Sequence, residues 1–200
     1  RRAEIAMTQK LLGLVDQILK LQDELDREIV KRRGDLGFNL SGKFVHFEKD
    51  IAARHRRLRT SIGKYIAGAD LATVLTAPVI YAMIFPVAFL DLSVTIYQHV
   101  CFRAYRLSRV KRSDYIVIDR HHLSYLNWIE ALNCVYCGYA NGVFAYAREV
   151  GSKTEQYWCP IKHALRIKDP PLRYFEFVEY GDADGYRARL ADFRKYLTDA

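Results

Sequence analysis

The sequence predicts a mainly α fold in three parts: N-terminal long amphipathic helices over residues 1–70, a membrane-embedded helical hairpin over 71–102, and a small α+β metal-binding domain over 103–200. Three observations carry that expectation. An apolar stripe repeats at heptad spacing near the start, and a long apolar segment in the middle is flanked by basic residues. Cysteine and histidine pairs recur in the last third, beside two short β-branched or aromatic runs.

Residues 3–32 read as one helix. Leu11, Leu14, Ile18, Leu21 and Leu25 keep a/d spacing, and Leu12, Val15, Leu19 and Ile29 widen the stripe. Asp23–Arg27 and Glu28–Arg32 are pairs of favourable i,i+4 order, and Gly34 and Gly37 end the helix. Such a stripe needs a partner, from this chain or another. Helical spacing resumes over 43–69, with Phe44, Phe47, Ile51, Leu58, Ile62 and Tyr65 apolar. The chain opens on Arg1 without an initiator Met, signal peptide or cleavage site, so its start is taken as a fragment or processed end.

The net charge of +8 is localised. Arg54, Arg56, Arg57, Arg59 and Lys64 form one block, and Arg103, Arg106, Arg109, Lys111 and Arg112 form another. Between them, residues 71–102 carry a single acid, Asp91, and two prolines, Pro78 and Pro86. A bilayer crossing needs about 20 apolar residues, and basic residues favour the cytoplasmic side. Both flanks are basic, so a re-entrant hairpin bent near Pro86 to Asp91 fits better than a single crossing. A buried hairpin in a soluble core is the third possibility. Asp91 is costly in hydrocarbon unless paired or capping a broken helix.

Beyond the second basic block, 114–118 and "RYFEFVEY" (173–180) read as strands. Residues 123–149, "CPIKHALR" (159–166) and the segment from Asp184, a possible cap, read as helices. Cys134, Cys137, Cys159 and His163, in the pattern Cys-x2-Cys…Cys-x3-His, are the candidate metal ligands. A helix puts the first two on one face, and Pro160 at a helix start puts Cys159 at an N-cap and His163 one turn on. Two such pairs can close a tetrahedron around zinc, with iron as the alternative. A redox dithiol and inert buried cysteines are the competing readings. Cys101 reads as structural.

Other positions carry weaker signals. Asp119, His121 and His122 lie at a strand-to-helix junction, Glu130 reads as a possible outer-sphere acceptor or a solvated charge, and Asn141 as a ligand-orienting or turn residue. Gly138 and Gly142 form a small-xxx-small pair that suits close packing. No phosphate loop, nucleophile elbow or metalloprotease motif occurs.

"CVYCGY" (134–139) resembles the knuckle of rubredoxins and zinc ribbons, and that resemblance implies the same ligands; "CPIKH" departs from its repeat and favours zinc over iron. "LNCVYCGYANG" and "EQYWCPIKHA" resemble stretches of a bacterial membrane-associated family. That resemblance implies a bacterial setting and no mechanism.

These features point to a scaffold or accessory protein on the cytoplasmic face of a bacterial inner membrane, with a structural metal. Its expected partners are membrane lipids and, through residues 3–32, another protein or a second copy. The alternative is a metal-dependent or redox enzyme at the membrane surface, acting on a lipid or quinone. Nucleic acid is not expected as a partner, because the basic residues bracket an apolar segment instead of the metal domain.

Overall fold

The computed structural model describes the backbone of residues 2–34, 38–41, 44–47 and 49–199, and the side chains of 10, 13–32 and 50–198. Helix α1 spans Arg2–Gly34. The short strands β1 (Phe38–Ser41) and β2 (Phe44–Phe47) pair antiparallel, with Phe38 opposite Phe47. Helices α2 (Lys49–Arg57), α3 (Ile62–Ala67), α4 (Leu71–Ala82), α5 (Ile84–Tyr97), α6 (Trp128–Trp158) and α7 (Ala183–Asp199) follow.

α1 matches the expected amphipathic helix, and its stripe is uncovered: Leu14, Ile18, Leu21 and Leu25 are exposed. Its Asp16–Lys20 pair closes at 2.7 Å, whereas Arg27 donates to the backbone carbonyl of Asp23. Gly37 and the side chains of Leu11, Leu12, Phe44 and Phe47 lie outside the described residues. The helix expected over 43–69 is instead β2, α2 and α3. Ser61 breaks it, because its hydroxyl caps α3 by accepting from the Lys64 amide. Asp70 caps α4 in the same way, through the amide of Ala72.

Residues 71–102 form one helix of 32 residues, the only one among the described residues long and apolar enough to cross a membrane. Only 11% of its most apolar stretch is buried, far less than a helix in a soluble core would have. A single irregular residue, Met83, separates α4 from α5, and a π-turn at Gln98–Phe102 continues α5. The bend expected between Pro86 and Asp91 is absent. Pro86 sits in the first turn of α5, where a missing N–H costs little.

The expected α+β domain is overturned: beyond residue 102 the described chain is helices joined by turns and loops, with no strand. Residues 114–118 contain the end of a 3-10 turn (Arg112–Asp114) and an irregular segment with no partner strand. Its residues Tyr115, Ile116 and Val117 lie against the glycines of α6 instead of a neighbouring strand. Residues 173–180 hold a 3-10 turn (Leu172–Glu176), and only Val178 makes an isolated bridge, to Ile161. The segment 159–166 is not helical. Pro160 stops α6 instead of starting a helix, and the Cys159 amide still donates to Glu155. The cap of α7 is Asp182, which accepts from the Gly185 amide, rather than Asp184.

The chain divides into two compact units. One comprises residues 1–29, 96–110 and 148–200. Its core joins Tyr174, Phe177 and Val178 to Phe193 of α7, with Ile167 and Tyr186 against them. Within it, Arg173 bridges Gln156 and Glu149, and Lys153 donates to the Ser108 hydroxyl at 2.9 Å. Burial, with Arg173 nearby, holds the Lys153 ammonium below its usual pKa against the pull of Glu149. The other unit comprises residues 30–95 and 111–147, and its core joins Val87 of α5 to Ala140 and Val143 of α6, flanked by Leu90, Ile116 and Tyr139.

Candidate functional site

The expected metal ligands are placed as follows. Cys134 and Cys137 lie in the first third of α6, the former half-buried and the latter exposed. Cys159 is exposed just after α6 ends, and His163 is exposed in the loop that follows. The His163 amide donates to the Tyr174 hydroxyl at 2.7 Å, and its ring stacks on Tyr174. Among the described residues, no three His, Cys, Asp or Glu side chains gather as a metal ion would require. The helix expected to end near residue 149 runs on to Trp158.

Asp91 has the most elaborate environment of any acid in the unit formed by 30–95 and 111–147. It is buried on α5. Arg112 grips it bidentately, Nε to Oδ1 at 3.0 Å and Nη2 to Oδ2 at 2.6 Å. The Tyr139 hydroxyl of α6 donates to Oδ2 at 2.9 Å, and Thr95 lies 3.5 Å from both Oδ1 and the Tyr146 hydroxyl. Burial, then the bond to Asp91, raises the Tyr139 phenol above its usual pKa. The bond to Asp91 likewise raises the Arg112 guanidinium. This is the pairing an acid in an apolar helix requires.

Arg112 begins a strap, residues 111–127, laid across α6 within the same unit. Gly142 makes the approach possible: a Cβ there would meet the Ile116 Cα and the Tyr115 carbonyl at 2.8 Å. Gly138 faces the Val117 carbonyl, where a Cβ would stand 3.2 Å away. The small pair therefore serves close packing, against an irregular segment and not a helix. The strap is pinned at its far end, where Arg59 Nε donates to the Leu126 carbonyl at 2.8 Å and Tyr125 meets His55 edge-on. It carries Arg112, Asp114, Asp119 and Arg120, all exposed.

The opposite aspect of α4 and α5 is uncharged and uncovered. Leu71, Leu75 and Val79 recur every four residues on α4, Phe85, Phe89 and Leu92 every three or four on α5, and all are more than half exposed. A soluble surface rarely presents so continuous an apolar stripe. Beside it, α3, α4 and the start of α6 enclose an apolar groove of about 530 Å³ lined by Ile66, Val74, Ile80 and Cys137 among others. The Tyr136 hydroxyl donates to the Ile80 carbonyl at 2.8 Å, and Tyr81 donates to Asn133, fixing α4 on α6. Cys137 thus borders an apolar groove.

Several residues resolve differently from their sequence readings. Glu130 closes a capping box: it accepts from the Asn127 amide at 2.8 Å, while Asn127 Oδ1 accepts from Ile129 and Glu130 at 3.0 Å. Asn-x-x-Glu ahead of an apolar run was the available signal. Asn141 donates to the Cys137 carbonyl within its own helix. Asp119 makes no side-chain cap, and His121 and His122 share a 3-10 turn with rings 3.8 Å apart. Arg112 and Tyr139 were missed; the lone acid in 71–102 announced a partner but could not say which one.

No protein-family model matches the chain, and neither a curated protein nor a solved structure does so.

Proposed function

We propose that the protein is a membrane-attached scaffold or accessory protein, held in one leaflet by the exposed face of residues 71–95, with α1 as its partner-binding arm. The observation that carries this reading is the two-sidedness of that helix. One aspect is a continuous apolar stripe, and the other is bound through Asp91 to a strap bearing exposed charges. Hydrocarbon enclosing the helix would have to enclose those charges, each costing about 2.5–3.5 kcal/mol at mid-bilayer. Length agrees. Thirty-two helical residues measure roughly 48 Å, against about 30 Å of hydrocarbon. An upright crossing by the whole helix would need a tilt beyond the usual range of about 0–40°. Lying within one leaflet places both basic flanks at the same headgroup layer, as their charge favours. The arm follows from the uncovered stripe on α1, which lies among acids and lysines and so suits a partner helix better than lipid.

Flotation with neutral phosphatidylcholine vesicles tests the attachment. The full chain should float, and a Leu75→Glu/Phe89→Glu variant should stay in solution while keeping its helical circular dichroism. A variant that floats as well as the parent would sink the reading.

A further inference from the structure

The π-turn that ends the apolar helix opens into a cavity of about 550 Å³ within the unit formed by residues 1–29, 96–110 and 148–200, lined by His99, Phe102, Arg103, Arg106, Leu107 and Arg109. Its floor is built. Phe102 and Leu107 are buried, and the Leu107 amide donates to the Phe102 carbonyl at 2.7 Å. Buried Gln98 clamps Val110 with both ends of its amide, accepting from the backbone N–H at 3.0 Å and donating to the carbonyl at 3.2 Å. The chain thus turns back on itself through Arg106, whose φ is 60°, and brings three arginines to one cavity.

No acid lines the cavity, and the sequence holds none between Asp91 and Asp114. Among the described residues no ion pair engages Arg103, Arg106 or Arg109. By contrast, three other arginines are paired: Arg112 holds Asp91, Arg148 pairs with Asp169, and Arg173 with Glu149. Three planar guanidiniums around one volume match the oxygens of a phosphate, which they can grip bidentately. A phosphate monoester approaches two negative charges at neutral pH and gains more from such a cluster than a singly charged diester. Ile96 and Val100, within three residues of His99 along the helix, are exposed and supply apolar surface.

The geometry points to this cavity as a binding site for a phosphate monoester carried on an apolar chain, the phosphate among the three arginines and the chain along Ile96 and Val100. It rests on the membrane attachment proposed above and gives that attachment a headgroup preference.

The test is binding of the full chain to three vesicle types: phosphatidylcholine alone, and phosphatidylcholine with phosphatidylglycerol or phosphatidic acid, the last two matched for surface charge. The parent should bind phosphatidic acid vesicles about tenfold more tightly than phosphatidylglycerol vesicles. Arg103→Gln/Arg109→Gln, which leaves the Arg106 backbone untouched, should erase that ratio while binding to phosphatidylcholine alone is unchanged. Arg54→Gln/Arg56→Gln/Arg57→Gln, in the other basic block, should lower binding to both anionic vesicles and preserve the ratio. A parent without a monoester preference, or a ratio unmoved by the Arg103/Arg109 variant, overturns the site. Glycerol 3-phosphate competing as strongly as an equal concentration of phosphatidic acid would make the ligand a free phosphate and overturn the lipid assignment. Failure to bind any vesicle would instead contradict the attachment itself.

Discussion

α1 and the α4–α5 helix both leave leucines in the open, and they do so for different reasons. Along α1 the apolar stripe is one face of a helix whose other faces carry Asp16, Lys20, Asp23 and Arg27. α4 and α5 carry no charge except Asp91, and that one is turned inward and bound by Arg112 and Tyr139. On the reading proposed above, the amphipathic stripe is completed by another stripe and the surface without charges by hydrocarbon. Exposure alone therefore does not identify the missing partner. What decides it is the chemistry flanking the exposed residues and what holds the helix from behind.

Perturbing that hold should have the largest effect. Asp91→Ala leaves Arg112 without its partner in a partly covered site. A loss of about 2–3 kcal/mol in chemical denaturation is expected, less than for a fully buried pair because Arg112 is half in solvent. Gly142→Val comes next. Its side chain would strike the strap at Ile116, costing about 1–3 kcal/mol, and proteolysis should then cut within 111–127. Tyr139→Phe removes only the bond to Asp91 and should cost about 1–2 kcal/mol.

On α1 the comparison predicts function lost without stability. Leu21→Asp/Leu25→Asp, at two exposed positions, should change the denaturation midpoint negligibly, within about 0.5 kcal/mol. The mass of native complexes should fall. A stability loss above that would show that the stripe packs on its own chain. The smallest effect is expected at Cys159→Ser, since that thiol is exposed and outside any metal-sized cluster among the described residues. Unfolding of this variant, or zinc bound stoichiometrically by the parent and lost with it, would instead establish the metal site.

What was legible in the sequence was local and periodic. The heptad stripe marked α1 and an uncharged run marked 71–102, because both signals repeat over several turns. Pro160 was ambiguous, since one proline can start a helix or stop the helix before it, and only the unbroken run through Gly151 to Trp158 shows which. The strand expected over 114–118 was misread because β-branched residues favour a pleated, half-buried surface and say nothing of whether a strand or a glycine-faced helix lies opposite. In 173–180 the aromatic residues Tyr174 and Phe177 pack into a core from a 3-10 turn and its cap instead. Asp91 announced the need for a partner, but Arg112 and Tyr139 are brought to it by tertiary packing that spacing does not encode. The spacing of the paired cysteines suggests convergence on a metal, and among the described residues no group of three such side chains gathers for one.

The claim that the helix lies in one leaflet is tested most directly by sidedness. Single cysteines placed at Arg57 and Ser113, before and after the helix in sequence, are labelled in sealed vesicles with a membrane-impermeant maleimide, in a background lacking the four native cysteines. A third at Phe89 reports depth. One-leaflet attachment predicts that positions 57 and 113 react from the same side and that position 89 is protected. Reaction of 57 and 113 from opposite sides would show that the helix crosses the bilayer, and would contradict it.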